Sequence, residues 1–259
     1  MKNIVCFFLV GLLFLCSCGS YKRFTYLQAS VPEKDTIYKP RLTLYKLQPA
    51  DILLVNVLSI DKKVTELFNA NSSGAGSQSM GMSSGGSMYF SGYSIDQIGF
   101  IHLPVIGDVH VGGLTVEQAT KDIQTVAEIY VKDARVEIKL VSFKITMLGE
   151  VNHAGQINVF NDKANILEVI GMGGDLSYYG NRKKILVVRE TESGLKTFRI
   201  DLTKRELLKS DMYYVQPNDI IYVEPLKSTA FRIRLSDFTM YLSLFTTTVT
   251  TIFLYKSFK

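Results

Sequence analysis

Residues 93–119 read YSIDQIGFIHLPVIGDVHVGGLTVEQA, and this stretch decides how the first half of the chain folds. Ile95 and Ile98 flank a polar Asp96-Gln97 turn closed by Gly99, Pro104 interrupts the next apolar run, and Gly107-Asp108 supplies a second tight turn. Short apolar runs punctuated in this way predict hairpins. The period then changes: Thr115 stands three residues before Gln118, the spacing of a capping box, and Ala119, Ile123, Val126, Ala127 and Tyr130 share one helical face. Downstream, ARVEIKLV (134–141) alternates as a strand does. Upstream, LYKLQPADILLVNVLS (44–59) reads as a turn at Pro49-Ala50-Asp51 followed by a strand rich in Ile, Leu and Val. Helix on sheet makes residues 44–142 an α+β domain. Its interruption at 69–89 is a Gly-, Ser- and Met-rich loop with almost nothing to bury.

A second unit, 143–226, follows the same logic. KITMLGEVNHAGQINVF (144–160) predicts two strands about a turn, and Asn165 with Glu168 three residues later caps a short helix over ILEVIGMGG. Strands at 185–188 and 197–200 flank the turn ETESGLK, and YYVQPNDIIYVEP (213–225) predicts two more short strands. A small mixed sheet with one helix across it, β-grasp in style, accounts for the layout.

Both ends of the chain point to membranes. MKNIVCFFLVGLLFLCSCGSYKR (1–23) has one lysine before the run Ile4–Leu15 and small residues after it, which is a secretory signal over 1–17. Leu15, Cys16, Ser17 and Cys18 approximate a lipobox, so Cys18 is the expected acylation site; ordinary secretion or an uncleaved anchor is the alternative. Cys6 and Cys16 leave with the signal. That leaves no intrachain disulfide and no thiol pair for zinc. Gly19 takes the place of the Asp that commonly retains lipoproteins in the inner membrane, so the expected address is the outer membrane with the body in the periplasm. Residues 18–43 are mixed and proline-punctuated, the composition of a tether.

At the other end, Phe238 to Tyr255 carries no charge, and as a helix it would be roughly 27 Å long against the ~30 Å hydrocarbon core of a bilayer. Residues 237–255 are therefore read as a C-terminal membrane-spanning amphipathic helix. Thr239, Ser243, Thr246 and Thr250 recur on one side, widened by Thr247 and Thr251; Phe238, Leu242, Phe245, Val249 and Ile252 recur on another. Met240, Thr248 and Leu254 break the two faces. A single anchor that tolerates threonine, a helix that associates with copies of itself, and a strand are the three readings this segment allows.

Composition excludes other classes. The formal charge of +5 comes from 29 basic and 24 acidic side chains with no basic run, so nothing supports nucleic-acid binding. The absence of tryptophan argues against a high-affinity sugar-stacking platform. His102, His110 and His153 lack metal-ligand spacing, and Gly171, Gly173 and Gly174 follow a helix instead of opening one. Asp51, Asp96, Asp108 and Asp175 fall in or near turns, where Asp serves the backbone; a glycosidase pair is the alternative for them. The reading is of a non-enzyme with no cofactor, no catalytic residue and no metal site.

The order of these motifs resembles the outer-membrane polysaccharide export proteins, the Wza-like family. Leu47, Pro49, Asp51, Gly99, Leu103, Pro104, Gly107, Gly113, Leu114 and Thr115 match that family's export domain. Gly149, Val151, Gly155, Gly173 and Gly174 are similar to one soluble-ligand-binding β-grasp (SLBB) repeat. Ala50 stands where the family has a turn glycine and Ala154 where it has a proline. The resemblance implies a lipoprotein that closes into a homo-oligomeric ring, with C-terminal helices forming a barrel through the outer membrane. Capsular or exopolysaccharide would pass along the hydroxyl face while the apolar face meets lipid, driven by an inner-membrane co-polymerase. The rival reading is a periplasmic lipoprotein that binds a ligand or partner and carries a simple C-terminal anchor; a third is a structural adaptor between envelope complexes.

Overall fold

The structure, a computed structural model, describes residues 24–29, 36–41, 43–69, 91–191 and 193–257, with backbone alone at 62–64 and 229–239. The signal segment, Cys18 and residues 70–89 of the Gly/Ser/Met-rich loop lie outside the described residues.

Strand β1 (Ile52–Leu58) follows the Pro49 turn, and its alternation buries Leu53, Val55 and Val57. Helix α1 (Lys62–Phe68) comes next and buries Phe68. β2 (Tyr93–Ser94) and β5 (Arg135–Leu140) pair antiparallel on either side of β1, and β3 (Phe100–Leu103) and β4 (Gly107–His110) form the predicted hairpin. Helix α2 (Val116–Tyr130) starts at the expected capping box: the Gln118 N–H donates to Thr115 Oγ1 at 3.2 Å, and the Thr115 N–H donates to Gln118 Oε1 at 2.9 Å. Ala119, Ile123 and Ala127 face the sheet and are fully buried, but Tyr130 is 54% exposed. The helix ends there, and the next residue, Val131, turns inward in its place.

The second core gathers on a five-stranded sheet of order β7-β6-β10-β8-β9, whose strands are β6 (Lys144–Gly149), β7 (Gly155–Asn158), β8 (Gly180–Thr191), β9 (Gly194–Ile200) and β10 (Ile220–Pro225). β6 and β10 are parallel and the other pairs antiparallel, so the sheet is mixed. Ile145, Met147, Ile185 and Ile221 are closed from solvent together with Ile166, Val169 and Ile170 of helix α3 (Ile166–Met172). Each such side chain contributes about 1.5–3 kcal/mol relative to exposure. Asn165 caps α3 as its spacing with Glu168 requires. The two strands expected in 213–225 reduce to β10 alone. Tyr214 makes only an isolated bridge with Asn165, because the backbone of 213–215 is spent on holding the start of α3.

One turn occurs twice. Gln48-Pro49-Ala50-Asp51 leads into Ile52-Leu53-Leu54-Val55, and Gln216-Pro217-Asn218-Asp219 leads into Ile220-Ile221-Tyr222-Val223. The third residue is left-handed in both, with φ +71° at Ala50 and +65° at Asn218, as a type II turn demands. The Asp N–H returns to the Gln carbonyl in both, at 3.1 and 3.2 Å. The two turns hold the segment that joins the cores. Ser142 Oγ donates to Asp51 Oδ1 at 3.1 Å, and the Asn218 N–H donates to the Lys144 carbonyl at 2.8 Å. Leu140 packs against both cores.

Two expectations need correction. The proposed tether 18–43 is not free along its length: residues 24–28 lie on the second core, with Gln28 bridged in parallel to Lys204. The C-terminal segment is a helix and not a strand, but α4 (Lys227–Ser257) is longer than the 237–255 expected and starts two residues after β10 ends. Among the described residues no helix is long and apolar enough to cross a membrane.

Candidate functional site

The helix α4 and the corner from which it leaves form the candidate site. At that corner the Leu226 N–H donates to the Tyr179 carbonyl at 2.8 Å, which fixes the first residue before the helix. Tyr179 makes an edge contact with Tyr178, and Tyr178 stacks on Phe24 at 5.0 Å. Phe24 and Tyr26 together cover Arg182, whose guanidinium carbon lies 5.5 and 5.4 Å from their ring centres. The Arg182 side chain is only 7% exposed, reaches Asp175 at 3.8 Å, and leaves its Nε without a partner. The Tyr26 hydroxyl donates to Asp175, and burial together with that carboxylate pushes its pKa well above the ordinary tyrosine value. Sequence reasoning missed this cluster, whose members stand about 150 residues apart along the chain.

Along α4 the described side chains from Met240 to Tyr255 are all exposed. Of the expected lipid-facing residues, Leu242, Phe245, Val249 and Ile252 are 48–65% exposed with nothing covering them. The expected pore-facing hydroxyls bond back to their own helix. Ser243 Oγ donates to the Met240 carbonyl, Thr246 and Thr247 to that of Ser243, Thr250 to that of Thr246, and Thr251 to that of Thr247, at 2.7–2.9 Å. Back-bonding removes most of the cost of placing these hydroxyls away from water. Phe238 and Thr239 belong to the helix, but their side chains are not described, and Cys18 lies outside the described residues. Over the full 31 residues polar and apolar side chains are barely segregated, because Met240 and Leu254 sit among the hydroxyls and Thr248 lies opposite.

A second feature lies at the junction of the two cores. A cavity of about 210 Å³ is lined by Tyr45, Phe143, Tyr214 and Pro217 among others, with the carboxylate residues Glu117 and Asp162 also in its lining. Tyr45 donates to Asp51 at 2.8 Å, and burial beside that carboxylate drives the tyrosine pKa far upward. Asp51 itself is 2% exposed. Burial raises its pKa while hydrogen bonds from Gln48, Tyr45 and Ser142 oppose the rise.

The histidines behave as surface groups. The His102 Nδ1–H donates to Asp108 at 2.6 Å across the β3–β4 hairpin, with Asp96 at 3.6 Å from Nε2. Among the described residues no group of His, Cys, Asp and Glu is arranged to hold a metal ion. The turn carboxylates Asp51 and Asp96 accept backbone N–H bonds, as their positions predicted.

Residues 40–141 match the sequence model of the polysaccharide biosynthesis/export proteins. The first core, with its paired hairpin, capped helix and Pro49 turn, is the part that matches, as its motifs indicated.

Proposed function

We propose that this chain, carrying a polysaccharide export domain at 40–141, is an outer-membrane lipoprotein that assembles with copies of itself into a channel for capsular or exopolysaccharide. In this reading Cys18 bears the acyl group, the second core serves as an SLBB-type β-grasp domain, and the C-terminal helices line a pore. An inner-membrane co-polymerase supplies the driving force.

The carrying observation is α4. A helix of 31 residues, about 46 Å long, leaves the body, and from Met240 to Tyr255 its apolar side chains are uncovered and its hydroxyls are satisfied by its own backbone. In a closed ring the hydroxyls face neighbours or a wet lumen and only the aromatic-aliphatic residues meet lipid. A neutral hydroxyl wall offers a passing glycan weak, replaceable hydrogen bonds and no strong site.

The mass in mild detergent of the mature protein, beside a version truncated after Leu235, tests the reading. A closed multimer whose membrane-spanning part vanishes on truncation is expected. A monomer in both overturns it and favours the second reading, a periplasmic lipoprotein that binds a ligand or partner. The cavity between the two cores is the observation in favour of that alternative.

A further inference from the structure

We propose that residues 24–28 are a strap, clamped by Arg182, that delivers the acylated N-terminus to the root of α4, so that lipid anchor and helix meet one membrane at one place. This rests on the reading of Cys18 as acylated and of α4 as the membrane element.

The strap is held along its length. The Leu27 and Gln28 N–H groups donate to the carbonyls of Leu202 and Thr203 at 3.0 and 2.6 Å, and Arg205 Nε donates to the Leu27 carbonyl at 2.9 Å. Its aromatic residues do more than fill space. Arg182 is a buried cation whose one carboxylate, Asp175, stands at 3.8 Å and whose Nε has no hydrogen-bond partner, and a buried charge so loosely paired is costly. Beside that ion pair and long hydrogen bonds to the Gly180 and Leu176 carbonyls, the rings of Phe24 and Tyr26 add two cation–π contacts strengthened by loss of water. Removing the strap would leave Arg182 to solvent; docking it orders the segment. Guanidinium and strap thus stabilise each other.

The position of the clamp gives it a consequence. Phe24 rests on Tyr178, and the neighbouring Tyr179 carbonyl binds the residue before α4. Cys18 stands six residues before Phe24, so its backbone lies at most about 20 Å from that corner even when fully extended. Without the strap the first contact with the body would be at Tyr38, whose ring lies 5.2 Å from Lys209, and a flexible leader of that length wanders roughly 25 Å as a root-mean-square distance and reaches much farther. The strap therefore raises the effective concentration of the second membrane attachment once the first is made.

The full-length chain carrying Gln28→Cys and Lys204→Cys tests this, since the two positions are partners in a parallel bridge and paired strands lie within disulfide range. The bridge is expected to form in most of the membrane-extracted protein and to fall about tenfold with Arg182→Ala, the loss of two cation–π faces, with partial recovery in Arg182→Lys. Should Arg182→Ala fail to fold, Phe24→Ala with Tyr26→Ala, at the margin of the core, must give the same loss. Absence of the bridge, or a bridge indifferent to both variants, overturns the strap. Acyl labelling of the same protein is scored separately: an intact bridge on unlabelled protein leaves the docking in place and overturns delivery of an anchor.

Discussion

Asp51 and Asp219 occupy the same place in two copies of one turn, each accepting the backbone N–H of the glutamine three residues before it, at 2.9 and 2.8 Å. They differ in what compensates the buried carboxylate. Asp51 receives two neutral hydroxyls, from Tyr45 and Ser142, whereas Asp219 receives the Arg189 guanidinium through two bonds of 2.9 and 2.7 Å. The first turn is thereby tied to the joining segment, and the second to its own sheet.

Ala50 holds the left-handed position that glycine or asparagine favours, with φ +71°. Ala50→Gly is expected to stabilise the protein by about 0.5–1 kcal/mol, relief of the Cβ clash less the added chain entropy. Urea unfolding measures it, and a lower midpoint counts against strain at this residue.

The Arg189–Asp219 pair is almost wholly buried, at 7% and 0% side-chain exposure. Asp219→Ala should cost about 3–5 kcal/mol because it strands the guanidinium, whereas Arg189→Met with Asp219→Leu should recover much of that loss. Equal destabilisation by the single and double variants would show that the turn, not the charge, is what Asp219 supports.

The Asp108 hydrogen bond, with its charge and that of Asp96, raises the pKa of His102 above the ordinary histidine value. Since the folded pKa exceeds the unfolded one, the stabilisation is full below about pH 6.5 and disappears as pH rises through the folded value. Proton NMR of the imidazole should show the raised midpoint, and Asp108→Asn should return it toward the ordinary value.

Thr246→Leu with Thr250→Leu should lower polysaccharide export on the order of tenfold while membrane insertion persists, because leucines replace back-bonded hydroxyls on the proposed lumen side. Export assayed in cells and carbonate extraction of membranes separate the two effects. Unchanged export excludes that face from the pore.

Cys18→Ala should abolish incorporation of labelled fatty acid into the mature chain. Label retained in that variant would move the acylation site elsewhere.

Local chemistry was legible. The Thr115 and Asn165 caps, the β3–β4 hairpin and the alternation of β1 and β5 depend on residues within a few positions of one another. Helix α1 escaped notice because among its described side chains only Phe68, at its end, is buried, too little to set a period. The strand expected at 213–215 failed because its N–H and carbonyl groups pair with the ends of the segment around Asn165 instead of with a ladder. The candidate helix was legible as helix and as hydroxyl-rich; its start beside Tyr179 was not.

Sequence alone determined the turns, the caps and the alternating strands, since each follows from backbone preferences and side-chain spacing over less than a dozen residues. Tertiary structure alone decided that Phe24 would rest on Tyr178, that Arg182 would lie between two rings, and that Asp51 and Asp219 would take different partners. Compensation of a buried charge is a long-range matter: it depends on which distant groups the packed sheets bring within hydrogen-bond distance, and no local spacing encodes that.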